Sequence, residues 1–196
     1  MPNNPWVRYA DDACIHATSK AEAEYIHEKL EQRMKEIGLE LSSEKTRIVY
    51  CKDANRGEKH TPDRFVFLGF EFAPREARSR TGLLFLSFLP AVSKQAMKKM
   101  RHHIKYKLAL RYRVDLSLAE IAKMINPVVR GWLNYYGASY TSSLYSLYRY
   151  INDALARWAQ RKFKRLNRGR RNAYDLLKKA YATDPRLFVH WKHVRP

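Results

Sequence analysis

The chain has 196 residues, of which 45% are hydrophobic and 13% aromatic. This is enough for one core of ordinary size or two small ones, and the aromatic content excludes a disordered basic tail. Two cysteines, Cys14 and Cys51, are too few for a disulfide framework or a cysteine zinc site, which suits a reducing cytosol. No apolar run approaches the roughly 20 residues of a membrane span, and the first residues show no secretory signal. We therefore predict a cytoplasmic protein without a membrane partner.

Basic residues are concentrated in one half of the sequence. The formal net charge is +19, from 38 Lys+Arg and 19 Asp+Glu. Residues 1–90 carry 14 basic and 14 acidic side chains, whereas residues 91–196 carry 24 basic and 5 acidic ones. Because the whole excess lies in the C-terminal half, we expect a polyanionic partner to bind there.

The first region combines short strands with one helix. Trp6–Tyr9 and residues 13–17 are strand-like runs with two aspartates between them, which predicts a tight hairpin. Ser19 and Glu22 have the spacing of a capping box that opens a helix, and Gly38 ends it. The predicted apolar face of this helix comprises Ala23, Ile26, Leu30, Met34 and Ile37.

Three further segments of this region are rich in β-forming residues. They cover residues 48–50, 65–72 and 83–89, and Pro90 is predicted to end the last strand. Beyond residue 90 the apolar period becomes helical, so the predicted fold class is α+β, with a mixed piece at 1–90 and an all-helical basic piece at 91–196.

The helical piece shows clear start and stop signals. Ser117 and Glu120 form a second capping box, and Asn126-Pro127 is predicted to break that helix and start another. Longer helical patterns cover residues 143–166 and 174–181. The apolar row of the first of these comprises Leu144, Tyr148, Ile151, Leu155 and Trp158.

Asp11 and Asp12 stand at the predicted hairpin turn. Aspartate is a common turn residue, so a solvated turn is the ordinary explanation of such a pair. Carboxylate oxygens are also the ligands that Mg²⁺ prefers, and two-metal phosphoryl transfer needs carboxylates that position the ions. The pair is therefore a candidate metal site.

Four segments in order resemble group II intron-encoded reverse transcriptases. Tyr9-Ala10-Asp11-Asp12 resembles their catalytic box, and Gly38 to Thr46 resembles the segment that follows it. Phe67–Phe72 is similar to the hairpin that grips the primer, and Ile125 to Gly137 is similar to the signature of the maturase region, or thumb. Phe188 to Trp191 resembles the end of bacterial members that carry no endonuclease extension.

The resemblance implies a partial polymerase palm at 1–90 and a helical thumb and maturase domain at 91–196. It implies catalytic residues, namely Asp11, Asp12 and Lys45, with both aspartates as ligands of Mg²⁺ and the lysine as a general acid toward pyrophosphate. It implies nucleotide- or primer-binding residues, namely Tyr9, Ala10, Leu68 and Gly69. The implied partner is group II intron RNA, which the protein helps to reach its splicing-competent fold.

One departure from the family concerns the metal site. A complete member carries fingers and the front half of the palm before the catalytic box, including another metal-binding aspartate, and only ten residues precede Asp11 here. We therefore expect RNA-directed DNA polymerase activity only when an upstream fragment supplies those parts. The alternatives are an RNA-binding fragment without an enzymatic role, an inactive pseudogene product, or a general basic nucleic-acid-binding domain.

Basic side chains recur at helical spacing in the second half, and RNA recognition needs such cations for phosphate. Residues 154–174 contain no acid, so an anion is expected to offset the repulsion between like charges. The predicted RNA-binding residues of the helical rows are Lys94, Lys98, Arg101, Lys105, Arg157, Arg161, Lys164, Arg165, Arg168, Arg170 and Arg171. Those of the maturase signature are Arg130, Gly131, Asn134 and Tyr135.

Several residues have a structural explanation as well as a functional one. Gly131 costs about 1 kcal/mol of helix propensity relative to alanine, which either RNA or a neighbouring helix in close approach would explain. Trp132 and Tyr136 are expected in the core rather than stacked on bases. The histidines of the C-terminal half, namely His102, His103, His190 and His193, are expected at the surface rather than on a metal.

Overall fold

The computed structural model describes residues 4–166 and 169–196, and these form an α+β fold, as predicted. Within these residues the strands make a two-stranded sheet, β1 (Trp6–Tyr9) with β2 (Asp12–Ile15), and a three-stranded sheet. The order of the latter is β3 (Phe65–Phe67), β4 (Phe70–Arg78), β5 (Leu84–Val92). Both sheets are antiparallel.

Five α-helices and several short helical turns complete the described part of the chain. The helices are α1 (Lys20–Glu36), α2 (Lys94–His102), α3 (Leu118–Tyr140), α4 (Tyr145–Lys162) and α5 (Arg170–Thr183). A π-helical turn covers His103–Lys107, and 3₁₀ turns cover Leu110–Tyr112, Thr141–Leu144, Lys164–Leu166 and Val189–Lys192. None of the helices within residues 4–166 and 169–196 is both long and apolar enough to cross a membrane.

The chain divides into two compact units. One runs to Phe67 and takes in Ala73–Phe88, and the other comprises Leu68–Phe72 and Leu89–Pro196. We call them the mixed unit and the helical unit. The tip of the β3–β4 connection is thus part of the helical unit.

The helical unit holds the main apolar core. Trp158, Trp191, Tyr148 and Phe188 are among its largest buried side chains. The predicted apolar row of α4 is buried along its whole length, from Leu144 to Trp158. Burial of this row contributes most to fixing α4, because an amphipathic helix is stabilised chiefly by the packing of its apolar face.

Both predicted helix starts are confirmed at Ser19 and Ser117. The Ser117 hydroxyl accepts from the Glu120 backbone N–H, and the Glu120 carboxylate accepts from Ser117 in return. At α1 the Ser19 hydroxyl accepts from Glu22 N–H, but the Glu22 carboxylate accepts from Thr18, one residue earlier than a capping box requires.

Pro127 does not break the helix, contrary to the prediction. Helix α3 runs through it without interruption. The side chain of Asn126 does not cap a helix either, because its amide donates to Leu187 O (2.9 Å) and its carbonyl accepts from Val189 N (3.1 Å). These distant hydrogen bonds fix the C-terminal segment to α3.

Two strand predictions are also wrong. Residues 48–50 form no strand, and the Tyr50 N–H makes only a single backbone bond, to Pro62 O (3.0 Å). Strand β5 continues past Pro90 to Val92. It is the edge strand of its sheet, where a missing N–H is tolerated.

Candidate RNA interface and carboxylate turn

The predicted catalytic box forms a two-residue turn between β1 and β2. The two strands pair with Trp6 opposite Ile15 and Tyr9 opposite Asp12, so Ala10 and Asp11 form the turn. Ala10 has a φ of 53°, and its carbonyl accepts from the Arg8 side chain at 2.8 Å. Asp11 and Asp12 are both exposed. The box thus presents two successive carboxylates to solvent.

The two carboxylates belong to no larger cluster of possible metal ligands in the part of the chain that the structure describes. Within residues 4–166 and 169–196, no three His, Cys, Asp or Glu side chains form a group that could hold an ion. Lys45 is exposed on a separate turn, where its backbone N–H donates to Ser42 O (3.1 Å), and none of the described ion pairs joins it to either aspartate.

The predicted primer-binding turn at Leu68-Gly69 is held by hydrogen bonds within the helical unit. Both residues have positive φ, 50° and 82°. The Leu68 carbonyl accepts from the Tyr135 hydroxyl (3.0 Å), and the Gly69 carbonyl accepts from the Ser93 N–H (2.9 Å). A side chain at Gly69 would collide with Tyr136, whose hydroxyl oxygen would lie 2.7 Å from the Cβ.

The tyrosine pair of α3 also packs on the ring of Phe70, which follows this turn. The centroids of Tyr135 and Tyr136 each lie 5.1 Å from that of Phe70. Burial raises the pKa of the Tyr136 hydroxyl. Tyr135, a predicted RNA contact, is half exposed but already uses its hydroxyl to hold the turn.

The basic row of α2 is exposed along its length. Lys94, Lys98, Arg101 and Lys105 face solvent, whereas Met97, Met100 and Ile104 on the other face are buried. Arg101 reaches α4, where its guanidinium donates to the Ser146 hydroxyl (3.3 Å) and lies 5.8 Å from the centre of the Tyr150 ring. The C-terminal part of this row therefore adjoins α4.

The second basic row is exposed from Arg157 onward. Arg157, Arg161, Lys164, Arg165 and Arg171 face solvent, and Arg168 lies outside the described residues. Arg170 instead forms an ion pair with Asp153, which also accepts from the Tyr174 hydroxyl. Partial burial of Asp153 raises the pKa of its carboxyl. The hydrogen bonds from Tyr174 and Arg170 outweigh this effect, so the pKa lies below its usual value.

Three predicted residues of the maturase signature share an open face of α3. Arg130, Gly131 and Asn134 are all exposed. A Cβ at Gly131 would meet nothing within 4 Å. Packing against a neighbouring helix therefore does not account for this glycine, and close approach by RNA remains a prediction.

His190 is buried, contrary to the prediction of a surface histidine. Its exposed fraction is 0%, and its Nε2 lies 2.7 Å from Oδ1 of the buried Asn152. The same oxygen accepts from Trp191 Nε1 (3.0 Å). Burial lowers the pKa of His190 to about 3, and the nearby His193 adds to the effect, so the imidazole is neutral at pH 7.

Sequence reasoning did not single out Tyr106 and Tyr112, which are both exposed beside the basic rows. They belong to the π-helical turn and the 3₁₀ turn after α2, where no apolar period draws attention to them. A signal was present, because each tyrosine stands between two basic residues, as Lys105-Tyr106-Lys107 and Arg111-Tyr112-Arg113.

Two family models match the chain in succession. Residues 2–72 match the reverse transcriptase (RNA-dependent DNA polymerase) family, and residues 97–175 match the group II intron maturase-specific domain. Searches of curated proteins and of solved structures found no match. The two matches occur in the order that the motifs predict and confirm the resemblance. The chain therefore belongs to the group II intron-encoded reverse transcriptases/maturases and corresponds to their C-terminal part.

Proposed function

We propose that the helical unit binds group II intron RNA and assists its splicing by holding the RNA in its reactive fold. The observation that carries this proposal is the set of exposed cations on α2 and α4. None of the ion pairs among the described residues engages Lys94, Lys98, Arg157 or Arg161. Arg157 interacts electrostatically with Asp153 but forms no ion pair with it, and exposed cations that form no ion pair are available to neutralise phosphate.

In this proposal the RNA carries out transesterification and the protein supplies no nucleophile. Binding releases the counterions that are condensed on the RNA, so the affinity depends on salt. Each phosphate that a side chain neutralises contributes about 0.7–0.9 to the slope of log Kobs against log salt concentration. The number of effective contacts is therefore measurable from the slope.

We expect the triple variant Arg157→Ala, Arg161→Ala, Arg165→Ala to bind a group II intron transcript with a flatter salt dependence. Loss of three phosphate contacts reduces the magnitude of this negative slope by about 2–3. Filter binding or fluorescence anisotropy over a series of KCl concentrations measures the slope.

A matched control removes three positive charges from the other unit. Lys29, Arg33 and Lys35 lie on α1, where Arg33 pairs with Glu36 and Lys35 with Glu31. Their triple alanine variant has the same net charge as the first variant and should keep the wild-type slope. Equal slopes in all three proteins would place the contact surface elsewhere.

We also propose that RNA-directed DNA polymerase activity requires fingers and a front palm in addition to the palm residues of this chain. Reverse transcriptase domains typically depend on a divalent metal. Asp11 and Asp12 would hold Mg²⁺ together with a carboxylate from the front palm, because two exposed carboxylates leave the donor set incomplete. Primer extension by the purified chain alone, in the presence of Mg²⁺, would contradict this proposal.

A further inference from the structure

Two tyrosines lie exposed at the junction between the basic rows of the helical unit. Tyr106 and Tyr112 are each 59% exposed. An aromatic side chain normally buries most of its surface, so two such rings close to many cations call for an explanation.

The backbone of the junction departs from regular helix. The π-helical turn His103–Lys107 follows α2, and Ala109 then has a φ of 46° before the 3₁₀ turn Leu110–Tyr112. π-Helical turns and left-handed non-glycine residues cost free energy, and both are frequent at functional sites. Here they place Tyr106 and Tyr112 at the surface.

The junction is nevertheless firmly anchored. Leu110 is only 1% exposed, and the carbonyl of Arg113 accepts from Trp158 Nε1 at 2.7 Å. The Leu116 carbonyl accepts from the Lys162 ammonium at 2.6 Å. Because Leu110 is buried and two hydrogen bonds hold the segment on α4, the exposed rings sit on a fixed base.

Cations lie directly over both rings. The Lys105 ammonium is 4.7 Å from the centre of the Tyr106 ring, and the Arg161 guanidinium is 4.7 Å from that of Tyr112. Arg161 belongs to the row on α4, and Lys105 to the row that begins on α2. Tyr112 thus contacts the row on α4, and the Lys105 ammonium interacts electrostatically with both tyrosines. We call Tyr106 and Tyr112, with Lys105 and Arg161, the aromatic junction.

We propose that Tyr106 and Tyr112 of the aromatic junction bind unpaired nucleotides of RNA by stacking on their bases. This inference rests on the proposed function, since it specifies which part of the RNA that surface contacts. Phosphate neutralisation alone needs no exposed rings, and a duplex hides the base faces that could stack on them. Unpaired nucleotides offer both a phosphate for Lys105 and Arg161 and a base for the rings.

Binding of labelled oligonucleotides by the full chain tests this inference. One probe is a fluorescein-labelled single-stranded oligoadenylate, and the other is a fully paired RNA duplex of the same length. We expect the double variant Tyr106→Leu, Tyr112→Leu to lose about tenfold or more of its affinity for the single strand. Its affinity for the duplex should change little, because both cations remain.

Two further variants control the comparison. Tyr106→Phe with Tyr112→Phe keeps both rings and should bind the single strand more tightly than the leucine variant. Tyr25→Leu removes a tyrosine of the mixed unit that is 56% exposed and has the Lys29 ammonium 5.7 Å from its ring centre. This variant should bind like the wild type, and the thermal melt of each variant shows whether it folds.

The outcomes separate this inference from the proposed function. If wild-type chain binds the intron transcript but the leucine variant binds the single strand as well as wild type, stacking is refuted and RNA binding stands. Equal losses for single strand and duplex refute stacking in the same way. If wild-type chain binds no RNA at low salt, both proposals fail.

Discussion

Asn152→Ala is expected to destabilise the helical unit by about 2–5 kcal/mol. The Asn152 carboxamide oxygen accepts from both His190 and Trp191, at 2.7 and 3.0 Å, and all three residues are buried. Truncation leaves two buried donors without an acceptor, and each unsatisfied group costs about 1–3 kcal/mol. Guanidinium unfolding followed by tryptophan fluorescence measures the loss, since Trp132, Trp158 and Trp191 belong to the helical unit.

Asn134→Ala is the matched control for this prediction. Asn134 is also a helical asparagine of the helical unit, but it is exposed on α3. Its truncation should change the stability by no more than about 0.5 kcal/mol. If the two alanine variants unfold at the same denaturant concentration, the buried network does not stabilise the fold.

The same network makes stability depend on pH. The pKa of His190 is lowered to about 3 in the folded chain by burial, against 6.5 as its ordinary value. The unfolded chain therefore binds a proton below about pH 6.5 that the folded chain does not bind. His190 thus costs no stability above about pH 6.5, and it destabilises the fold increasingly as the pH falls from there toward 3.

Gly69→Ala is expected to cost about 1–3 kcal/mol of stability. Gly69 has a φ of 82°, which an L side chain rarely adopts, and a Cβ there would lie 2.7 Å from the Tyr136 hydroxyl oxygen. The substitution therefore strains the backbone and displaces Tyr136 from its contact with Phe70. Thermal unfolding of the variant measures the cost.

Gly131→Ala provides a control of opposite sign in the same unit. Gly131 lies inside α3 in open space, so alanine removes the helix penalty of glycine without a clash. We expect it to raise stability by about 0.5–1 kcal/mol. If Gly69→Ala also raised stability, the turn at Leu68-Gly69 would not be constrained as described.

Features that depend on neighbours in sequence could be predicted. The capping box at Ser117 needs only residues three positions apart, and the hairpin around Asp11 needs only two short runs and a turn. The apolar row of α4 follows from the helical period alone. Local chemistry therefore determined these elements.

Features that depend on distant partners could not be predicted. Asn126 has the spacing of a helix cap, but its amide bonds to Leu187 and Val189, about sixty positions away. The burial of His190 is offset by a hydrogen bond to Asn152, which lies 38 positions earlier in the chain. The sequence predicts Arg170 as one more cation of the basic row, whereas in the folded chain it forms an ion pair with Asp153.

The proposed RNA surface combines both kinds of information. The basic rows are readable from sequence, because their members recur at helical spacing. The contact between the α4 row and Tyr112 could be seen only in the structure. Arg161 and Tyr112 are far apart in the chain, but the Arg161 guanidinium lies 4.7 Å from the centre of the Tyr112 ring. Helix period predicts which residues share a face, and tertiary packing decides which faces meet.

Competition binding tests the central claim most directly. A labelled group II intron transcript is bound to the full chain, and unlabelled intron transcript, an unrelated structured RNA of equal length, and heparin are titrated as competitors. We predict that unlabelled intron transcript displaces the label at concentrations well below those of the unrelated RNA. Equal displacement by all three polyanions would show that the cations bind any negative charge, and would contradict a maturase role.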